Sequence, residues 1–310
     1  MEFGLARLVN DSDAFLPISE QEYHSISKAK EDLFRMLFLE ETFDLVVENY
    51  LEMETCLLES AAQQMVRGIQ DYEWVHGQRR GFNRRLGNFL SACRSYREYT
   101  EKFISDVLCD TAIVGARLKS LFGGYQETSA SYRIMEQLRN SIQHHGFPIH
   151  TVAYPSGWKG EGDDSTLVYG ITVYAESASL KEDLRFKKSV LREIEELGGS
   201  IDIKFHAREY VAVLSDAHEQ LRKVTQGVVE TWDALVLGTV EKFSSAYPQE
   251  STAVGVVAFR REGQTVTGEV RIFEEFIKYR KALQRKNGSL VNLGKRFVTG
   301  EVQGKELKKK

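Results

Sequence analysis

The sequence is poor in cysteine and has no long apolar run. Its three cysteines, Cys56, Cys93 and Cys109, are far apart and lack the CxxC spacing of metal or redox motifs. We interpret them as ordinary thiols in a reducing compartment. No stretch approaches the roughly 18 apolar residues that a membrane-spanning helix requires, and the N-terminus has no basic segment followed by an apolar one. These absences predict a soluble, cytoplasmic protein with no membrane partner.

Common catalytic motifs are also absent. The sequence contains no P-loop, no GxGxxG turn and no serine nucleophile elbow. Its 41 Lys and Arg residues against 45 Asp and Glu give a net charge of −4. Because the chain as a whole does not attract phosphate, any nucleic-acid surface must be a local patch. No cofactor is expected.

The first half of the chain has the periodicity of long helices. Ser19 and Glu22 form a capping box, in which each side chain accepts a hydrogen bond from the backbone of the other residue. Apolar residues then recur at steps of three or four, which predicts a very long helix with one buried face. The stripe consists of Ile26, Ala29, Leu33, Met36, Leu39, Phe43, Val46, Tyr50, Met53 and Leu57.

Two further helices are predicted before residue 150. The second runs from Arg84 to Phe122 and is closed by Gly123-Gly124. The third runs from Ser129 to His145, where Gly146 suits a left-handed cap. Helices joined by short glycine-containing turns predict an antiparallel bundle over residues 1–150.

Beyond residue 150 the pattern becomes α+β. A polar loop is predicted over 154–166, and LVYGITVY predicts a strand over 167–174, with Leu167, Tyr169, Ile171 and Val173 on one face. The fold class is therefore mainly α with a small β-containing C-terminal part, residues 151–310, although the 206–245 helix can also pack onto the bundle. The remaining predicted elements are a helix over about 180–197 that opens at a capping box at Ser179–Glu182 and ends at Gly198-Gly199, the helix over 206–245, a hairpin over 253–273, a basic helix over 273–286 and a lysine tail.

The most informative segment lies at the end of the third predicted helix. Arg139 is followed directly by Asn140 and, after three more residues, by His144 and His145. Among the seven histidines, only these two have an arginine five to seven residues upstream. At about 100° per residue, Asn140 and His144 share one helical face, and Arg139 lies on its flank.

This segment resembles the motif of the HEPN superfamily, an arginine, four to six residues and a histidine, often with Asn, His or Asp after the arginine. The resemblance covers residues 135–150 in sequence and 19–150 only in architecture. It implies an all-helical domain that dimerises, so that two motifs together cleave RNA without a metal. Arg139, Asn140 and His144 match the motif, and His145 matches its longer variant.

The residue types also suit this chemistry on their own. Cleavage of RNA by its 2′-hydroxyl needs a group that moves a proton near neutral pH, and histidine is the natural choice. It also needs a fixed positive charge against the phosphorane, which an arginine fork supplies with directional donors. The hypothesis is a metal-independent RNA endonuclease that forms a homodimer, of a toxin or defence type by analogy with the family, with an antitoxin or regulatory partner.

Other interpretations of the same residues remain open. Cations often cluster in a last helical turn because they suit the negative end of the helix dipole. A metal site of His144, His145 and His150 lacks a well-spaced carboxylate, so none is predicted. The chain can also be a non-catalytic HEPN-like module for RNA or nucleotide binding or dimerisation, or a structural interaction protein.

An RNA path is predicted just before the second helix. Four arginines within seven residues can bind phosphates, and aromatic rings nearby can stack on bases, although a solvated helix start explains the same cluster. Beyond this cluster, an arginine in the third helix and a tryptophan in the glycine-rich loop are added to the path. The predicted RNA-binding residues are Arg79, Arg80, Phe82, Arg84, Arg85, Arg133 and Trp158.

Overall fold

The computed structural model of the chain describes residues 1–8, 14–68, 71–107, 122–249, 255–296 and 298. Cys109, the lysine tail and residues 108–121 of the predicted 84–122 helix lie outside these residues. The described chain is mainly helical with a smaller β component, which confirms the predicted fold class. Among its helices, none combines the length and apolar character needed to cross a bilayer.

Most of the described residues belong to α-helices. The helix α1 opens at the predicted capping box: Glu22 N donates to Ser19 Oγ at 3.1 Å, and Ser19 N donates to a Glu22 carboxylate oxygen at 2.8 Å. Every member of the predicted apolar stripe in α1 is buried, as the three- and four-residue spacing required. The helices are α1 (Glu20–Arg67), α2 (Tyr72–Val107), α3 (122–128), α4 (Ala130–His144), α5 (Ser177–Leu180), α6 (Lys188–Glu196), α7 (Ile203–Ala246) and α8 (Glu275–Lys286).

Contacts divide the chain into two compact units whose boundary crosses α1, α2 and α7. Unit 1 comprises 1–47, 92–122 and 217–288, and unit 2 comprises 48–91, 123–216 and 289–310. Each unit contains residues from before and after position 150, so the predicted boundary at residue 150 does not separate the two units. In unit 1, α7 packs on α1, as the sequence allowed.

Ring contacts in unit 1 fix the direction of its helices. Phe38 contacts Tyr99, with centroids 4.5 Å apart, and Phe43 contacts Tyr96 at 5.4 Å, so α1 and α2 run antiparallel. The Phe43 ring also stacks on His218 of α7 at 4.1 Å. The predicted antiparallel packing of the first two helices is therefore present here.

A buried polar network lies between these helices in unit 1. Glu40 and His218 are both fully buried, and His218 Nε2 lies 3.0 Å from Glu40 Oε2. Arg222 donates to both Glu40 oxygens at 3.1 and 2.5 Å, and the Tyr96 hydroxyl lies 3.1 Å from His218 Nδ1. Burial alone would raise the pKa of Glu40, but the hydrogen bonds from His218 and Arg222 outweigh it and lower that pKa to about 2. Burial lowers the pKa of His218.

The strands of unit 1 form one antiparallel sheet in the order β2-β1-β8-β9. The predicted hairpin is confirmed as β8 (Val256–Glu262) and β9 (Thr265–Ile272), although residues 253 and 254 lie outside the described chain. The strands β1 (Glu2–Arg7) and β2 (Phe15–Pro17) were not predicted. They are short, and β1 owes its place to pairing with β8, some 250 residues away in sequence.

Unit 2 contains the remaining strands, and here the prediction of one strand over 167–174 is wrong. The segment breaks at Gly170 into two strands that belong to different sheets. The predicted loop over 154–166 is also partly a strand, because it pairs with the first half of that segment. The strands are β3 (Thr151–Ala153), β4 (Ser156–Lys159), β5 (Thr166–Tyr169), β6 (Thr172–Glu176) and β7 (Ser200–Asp202), in a sheet β3-β6-β7 and a hairpin β4-β5.

Several predicted helix boundaries also differ. Gly123 and Gly124 do not end the second helix but lie within α3, and α2 begins at Tyr72, before the predicted Arg84. The predicted 180–197 helix is shorter than expected: α5 ends at Leu180 and α6 begins only at Lys188, because Asp183 Oδ1 accepts a hydrogen bond from Arg185 N in the turn between them. The predicted capping box at Ser179–Glu182 is wrong, since Ser179 lies within α5. The predicted end at Gly198-Gly199 is confirmed, with φ of 101° and 79°.

Candidate active site

The helix α4 carries the Arg139-Asn140-His144 segment, and its start is as predicted. Ser129 Oγ accepts a hydrogen bond from Tyr132 N at 3.1 Å and caps the helix. At the other end, Gly146 does not adopt the predicted left-handed conformation, and His145 is the cap residue with φ −126°. The backbone N–H groups of His145 and Gly146 both donate to Ser141 O, which closes the last turn without a left-handed residue.

One face of α4 is anchored in the core of unit 2. The buried side chains of Ile134, Met135 and Leu138 line it. Glu136 accepts a hydrogen bond from the Tyr210 hydroxyl at 2.5 Å, and Ser131 lies 3.0 Å from His206 Nδ1. These contacts with α7 fix the rotation of α4, so its opposite face points outward.

Arg139 and Asn140 form a pair at the outward side of α4. Arg139 Nη1 donates to Asn140 Oδ1 at 3.0 Å, and Asn140 is exposed. Arg139 Nε is buried and has no hydrogen-bond partner in the described chain, where no carboxylate lies within ion-pair distance of this arginine. A guanidinium has five donors in a planar fork, so most of those of Arg139 are not matched by the described protein.

His144 lies one helical turn beyond Asn140 and is also exposed. A separation of four residues places the two side chains on the same face. The spacing predicted that Asn140 and His144 share one face and that Arg139 lies at its flank. The three residues have this arrangement on α4. Their catalytic role stays a prediction.

His145 lies in a different setting from His144. It lines a cleft of about 240 Å3 together with Ser141, His150, Glu182 and the turn at 146–148. Neither His144 nor Arg139 lines this cleft. His145 and His150 are thus brought together, and His144 stands apart with Asn140.

The segment after α4 is held by side chains that sequence reasoning did not select. Asn83 is buried, and its amide donates to Ile149 O at 3.0 Å and accepts from Ile149 N at 2.9 Å. His150 Nδ1 accepts a hydrogen bond from Glu176 N at 3.0 Å, and burial lowers the pKa of His150. The sequence could not indicate the Asn83 contact, because its two partners are 66 residues apart.

Asp183 is a second residue that the sequence did not indicate. Its side chain is buried next to the end of α4. Burial opposes its charge, but a hydrogen bond from the Ser141 hydroxyl, another from Arg185 N and the nearby His145 together lower the pKa of Asp183. A carboxylate therefore lies close to His145, whereas none pairs with Arg139 in the described chain.

The predicted RNA-binding residues on α2 have different environments. Arg80 and Arg84 are exposed, as phosphate contacts require. Phe82 is only 1% exposed, so its ring belongs to the core and the prediction that it stacks on a base is wrong. Arg79 donates to His150 O at 3.3 Å, and Arg85 lines a groove with three glutamates, Glu48, Glu52 and Glu59.

The two predicted contacts outside α2 also differ from each other. Arg133 pairs with Glu193 at 2.7 Å and donates to the carbonyls of Gln126 and Glu127 at 2.9 Å, so it ties α4 to α6 and to the end of α3. Its donors are used within the protein. Trp158 is 70% exposed and lies on β4, not in a loop, which leaves its ring accessible for stacking.

In the part of the chain that the structure describes, no three His, Cys, Asp or Glu side chains are grouped closely enough to hold a metal ion. Comparison of the chain with models of protein families, with curated proteins and with solved structures finds no match.

Proposed function

We propose that the chain is a metal-independent RNA endonuclease whose active site is formed by Arg139, Asn140 and His144. The observation that carries the proposal is that Arg139 has no carboxylate partner in the described chain and lies beside two exposed polar side chains, Asn140 and His144, on one side of α4. The Nη donors of Arg139 that Asn140 does not use can bind the oxygens of an external phosphate.

The reaction follows from these side chains. The 2′-oxygen of the RNA attacks the adjacent phosphorus while His144 takes or gives a proton. The bond to the 5′-oxygen breaks, that oxygen gains a proton, and the products are a 2′,3′-cyclic phosphate and a 5′-hydroxyl. Arg139 stabilises the negative phosphorane, and Asn140, which accepts a hydrogen bond from Arg139, orients the guanidinium.

We further propose that the active form is a homodimer. One Arg, one Asn and one His are few groups for a reaction that needs a base, an acid and charge stabilisation. A two-fold axis next to α4 brings a second copy of the same residues to the site, because a two-fold interface places the same patch opposite itself. Light scattering at micromolar concentration should give a dimer, and a fully active monomer would contradict this arrangement.

A toxin or defence role, controlled by an antitoxin or other regulatory partner in the cytoplasm, is the biological setting that the HEPN resemblance suggests. It rests on the motif alone. The catalytic proposal does not depend on it, because the chemistry concerns only the residues of α4.

Cleavage of a generic single-stranded RNA in excess EDTA tests the catalytic proposal. Loss of proton transfer typically lowers a rate by about 10²- to 10⁴-fold, so His144→Ala should be nearly inactive. Because His144 is exposed, its replacement should leave the melting temperature unchanged. His145→Ala is the matched control: it removes a neighbouring exposed histidine that faces the cleft with His150.

The two variants separate the possible outcomes. Loss of cleavage in His144→Ala with activity retained in His145→Ala supports the proposed site. The reverse result assigns the proton transfer to His145, near the Asp183 carboxylate. Equal activity of both variants and the wild type, or no cleavage by the wild type, would contradict the proposal and favour a module that only binds RNA or a partner.

A further inference from the structure

The sheet of unit 1 has one face in the core and one face outside it. Along β8, Val256 and Ala258 are fully buried and belong to the inner face. Val257, Phe259 and Arg261 alternate with them and are only partly buried, so they form the outer face. The alternation leaves an apolar and aromatic strip on the surface of the sheet.

Aromatic rings cover the middle of this outer face. Gly4 of β1 has no side chain, and the Phe15 ring of β2 occupies the space where its Cβ would be. The Phe15 and Phe259 rings lie 5.5 Å apart. The guanidinium of Arg261 lies 4.9 Å from the Phe15 ring centre and 6.0 Å from that of Phe259. Two rings and a planar cation therefore form one continuous π surface.

Among the described residues, positive charge exceeds negative charge around these rings. Arg7, Arg261 and Arg271 line the face, and Glu269 is the one acidic residue among its lining residues. Arg271 pairs with Glu269 at 2.8 Å, and Arg261 pairs with Glu2, outside the lining, at 2.7 Å. These pairs are substantially exposed, and such pairs contribute little and yield readily to another anion.

Lys30 of α1 adds a further positive charge at the β9 side of the sheet. Burial lowers the pKa of Lys30, and the positive charge of Arg271 lowers it further, against the opposing effect of Glu269. Among the described residues, three arginines line this face, with Glu269 in the lining and Glu2 paired with Arg261, although the net charge of the protein is −4.

We propose that this outer face binds single-stranded RNA. It forms a groove of about 500 Å3, whose aromatic rings stack on bases and whose arginines contact phosphates. Sheet surfaces that carry aromatic residues are a general solution for holding unpaired bases, because the rings lie flat and accessible. The inference goes beyond the proposed catalytic site and stands on the sheet alone.

The choice of RNA over a protein partner follows from the combination of groups. An apolar peptide would not use the arginines, and an acidic peptide would not use the two partly exposed rings. A single strand offers bases and phosphates together, and stacking tolerates any base. Modest sequence preference and strong dependence on salt are therefore expected.

Fluorescence anisotropy with a short, labelled 2′-O-methylated oligouridylate tests this inference. The blocked 2′-oxygen cannot attack, so the probe stays intact whether or not the protein is a nuclease. All variants are made in a His144→Ala background to keep the α4 site constant. Phe259→Leu retains apolar volume but removes a ring, and it should weaken binding about tenfold.

Arg271→Ala and Arg285→Ala form a matched pair in unit 1. Each removes one exposed arginine, but Arg285 lies in the last turn of α8 and not in the groove. Arg271→Ala should reduce the slope of log affinity against log salt by about 0.7, the value for one phosphate contact to a single strand. Arg285→Ala should leave it unchanged.

Each outcome decides the inference. Weaker binding in Phe259→Leu and Arg271→Ala, with unchanged binding in Arg285→Ala, supports it even if no RNA is ever cleaved. Unchanged binding in both groove variants overturns it, and the cleavage test of His144 is unaffected. Equal competition by polyglutamate would also overturn it, because the face would then bind by charge alone.

Discussion

Unit 1 and unit 2 each contain an arginine, a histidine and an oxygen acceptor close together, but the two groups differ in burial and pairing. Glu40, His218 and Arg222 in unit 1 satisfy one another, and the first two are fully buried. Among the described residues, the side chains of Arg139 and Asn140 on α4 hydrogen-bond only to each other, and His144 is exposed. The first group stabilises the packing of three helices. The second group retains donors that no described residue matches.

The difference shows why residue types alone do not identify a site. Arg and His beside a carboxylate, buried and bonded on every side, have no capacity left for a substrate. The same types without a carboxylate keep their charge available. Arg133 and Arg139 repeat this contrast within one helix, since only Arg133 has an acidic partner in the described chain.

The largest effect on folding is expected when the buried network loses its carboxylate. Glu40→Ala leaves Arg222 and His218 without their common acceptor, and removal of one member of a buried ion pair typically costs about 3–5 kcal/mol. Asn140→Ala, at the exposed site, should change the free energy of unfolding by less than about 0.5 kcal/mol. Urea unfolding measures both, and similar losses in the two variants would remove the distinction drawn here.

The next effect separates Arg139 from Arg133. Arg139→Lys should lower RNA cleavage by on the order of 10²-fold, because a point charge does not replace the guanidinium fork, while stability is preserved. Arg133→Lys should have the opposite effect. It loses contacts to Glu193 and the α3 carbonyls, so the free energy of unfolding should fall by about 1–3 kcal/mol. Cleavage should be retained at low temperature, where the variant is folded. Cleavage assays paired with thermal melting compare them. Loss of activity in Arg133→Lys at a temperature where it is folded would contradict the assignment.

Acid should destabilise the protein through the buried network. The pKa of His218 is lower in the folded protein than in the unfolded chain. As the pH falls below about 6.5, the unfolded chain takes up a proton on this histidine more readily than the folded protein does, so the free energy of unfolding decreases. The pKa of Glu40 is also lowered, from 4.5 to about 2, so up to about 3 kcal/mol is lost as the pH falls through that range. Urea unfolding at decreasing pH should show this loss, and Glu40→Gln should be less sensitive below pH 4.5. Equal sensitivity would show that Glu40 is not the cause.

The smallest effect concerns the arginines of α2. Arg80 and Arg84 are exposed, whereas Arg85 lines a groove with three glutamates. If the first two contact RNA phosphates, replacing each with Ala should reduce the salt slope of RNA affinity by about 0.7. Arg85→Ala should not change that slope, and an unchanged slope in all three variants would identify the cluster as solvated surface.

The long helices were predictable because their signals are local. The stripe from Ile26 to Leu57 and the caps at Ser19 and Ser129 depend on spacing within a few residues, and all were found as predicted. The errors in the strands depend on distant partners. Gly170 splits one predicted strand between two sheets, and β1 exists because it pairs with β8. No periodicity in the sequence reports such pairing.

The candidate site also has features that the sequence predicted and features that it did not. The order of Arg139, Asn140 and His144 on one side of α4 follows from helical geometry, and the sequence predicted it. Phe82 was misinterpreted because aromatic residues next to arginines look the same in sequence whether the ring is buried or exposed. Asp183, next to His145, was missed because it lies in a turn that only the folded chain brings to the end of α4.

The central claim is that His144 and Arg139 promote attack by the 2′-hydroxyl without a metal, and the chemical ends of the RNA products test it most directly. The account predicts a 2′,3′-cyclic phosphate or its 3′-phosphate hydrolysis product in excess EDTA, lost in His144→Ala, with DNA left intact because it lacks the attacking oxygen. End-labelled substrate and mass spectrometry identify these ends. Products with 5′-phosphates that vanish in EDTA, or cleavage of DNA at a comparable rate, would contradict it.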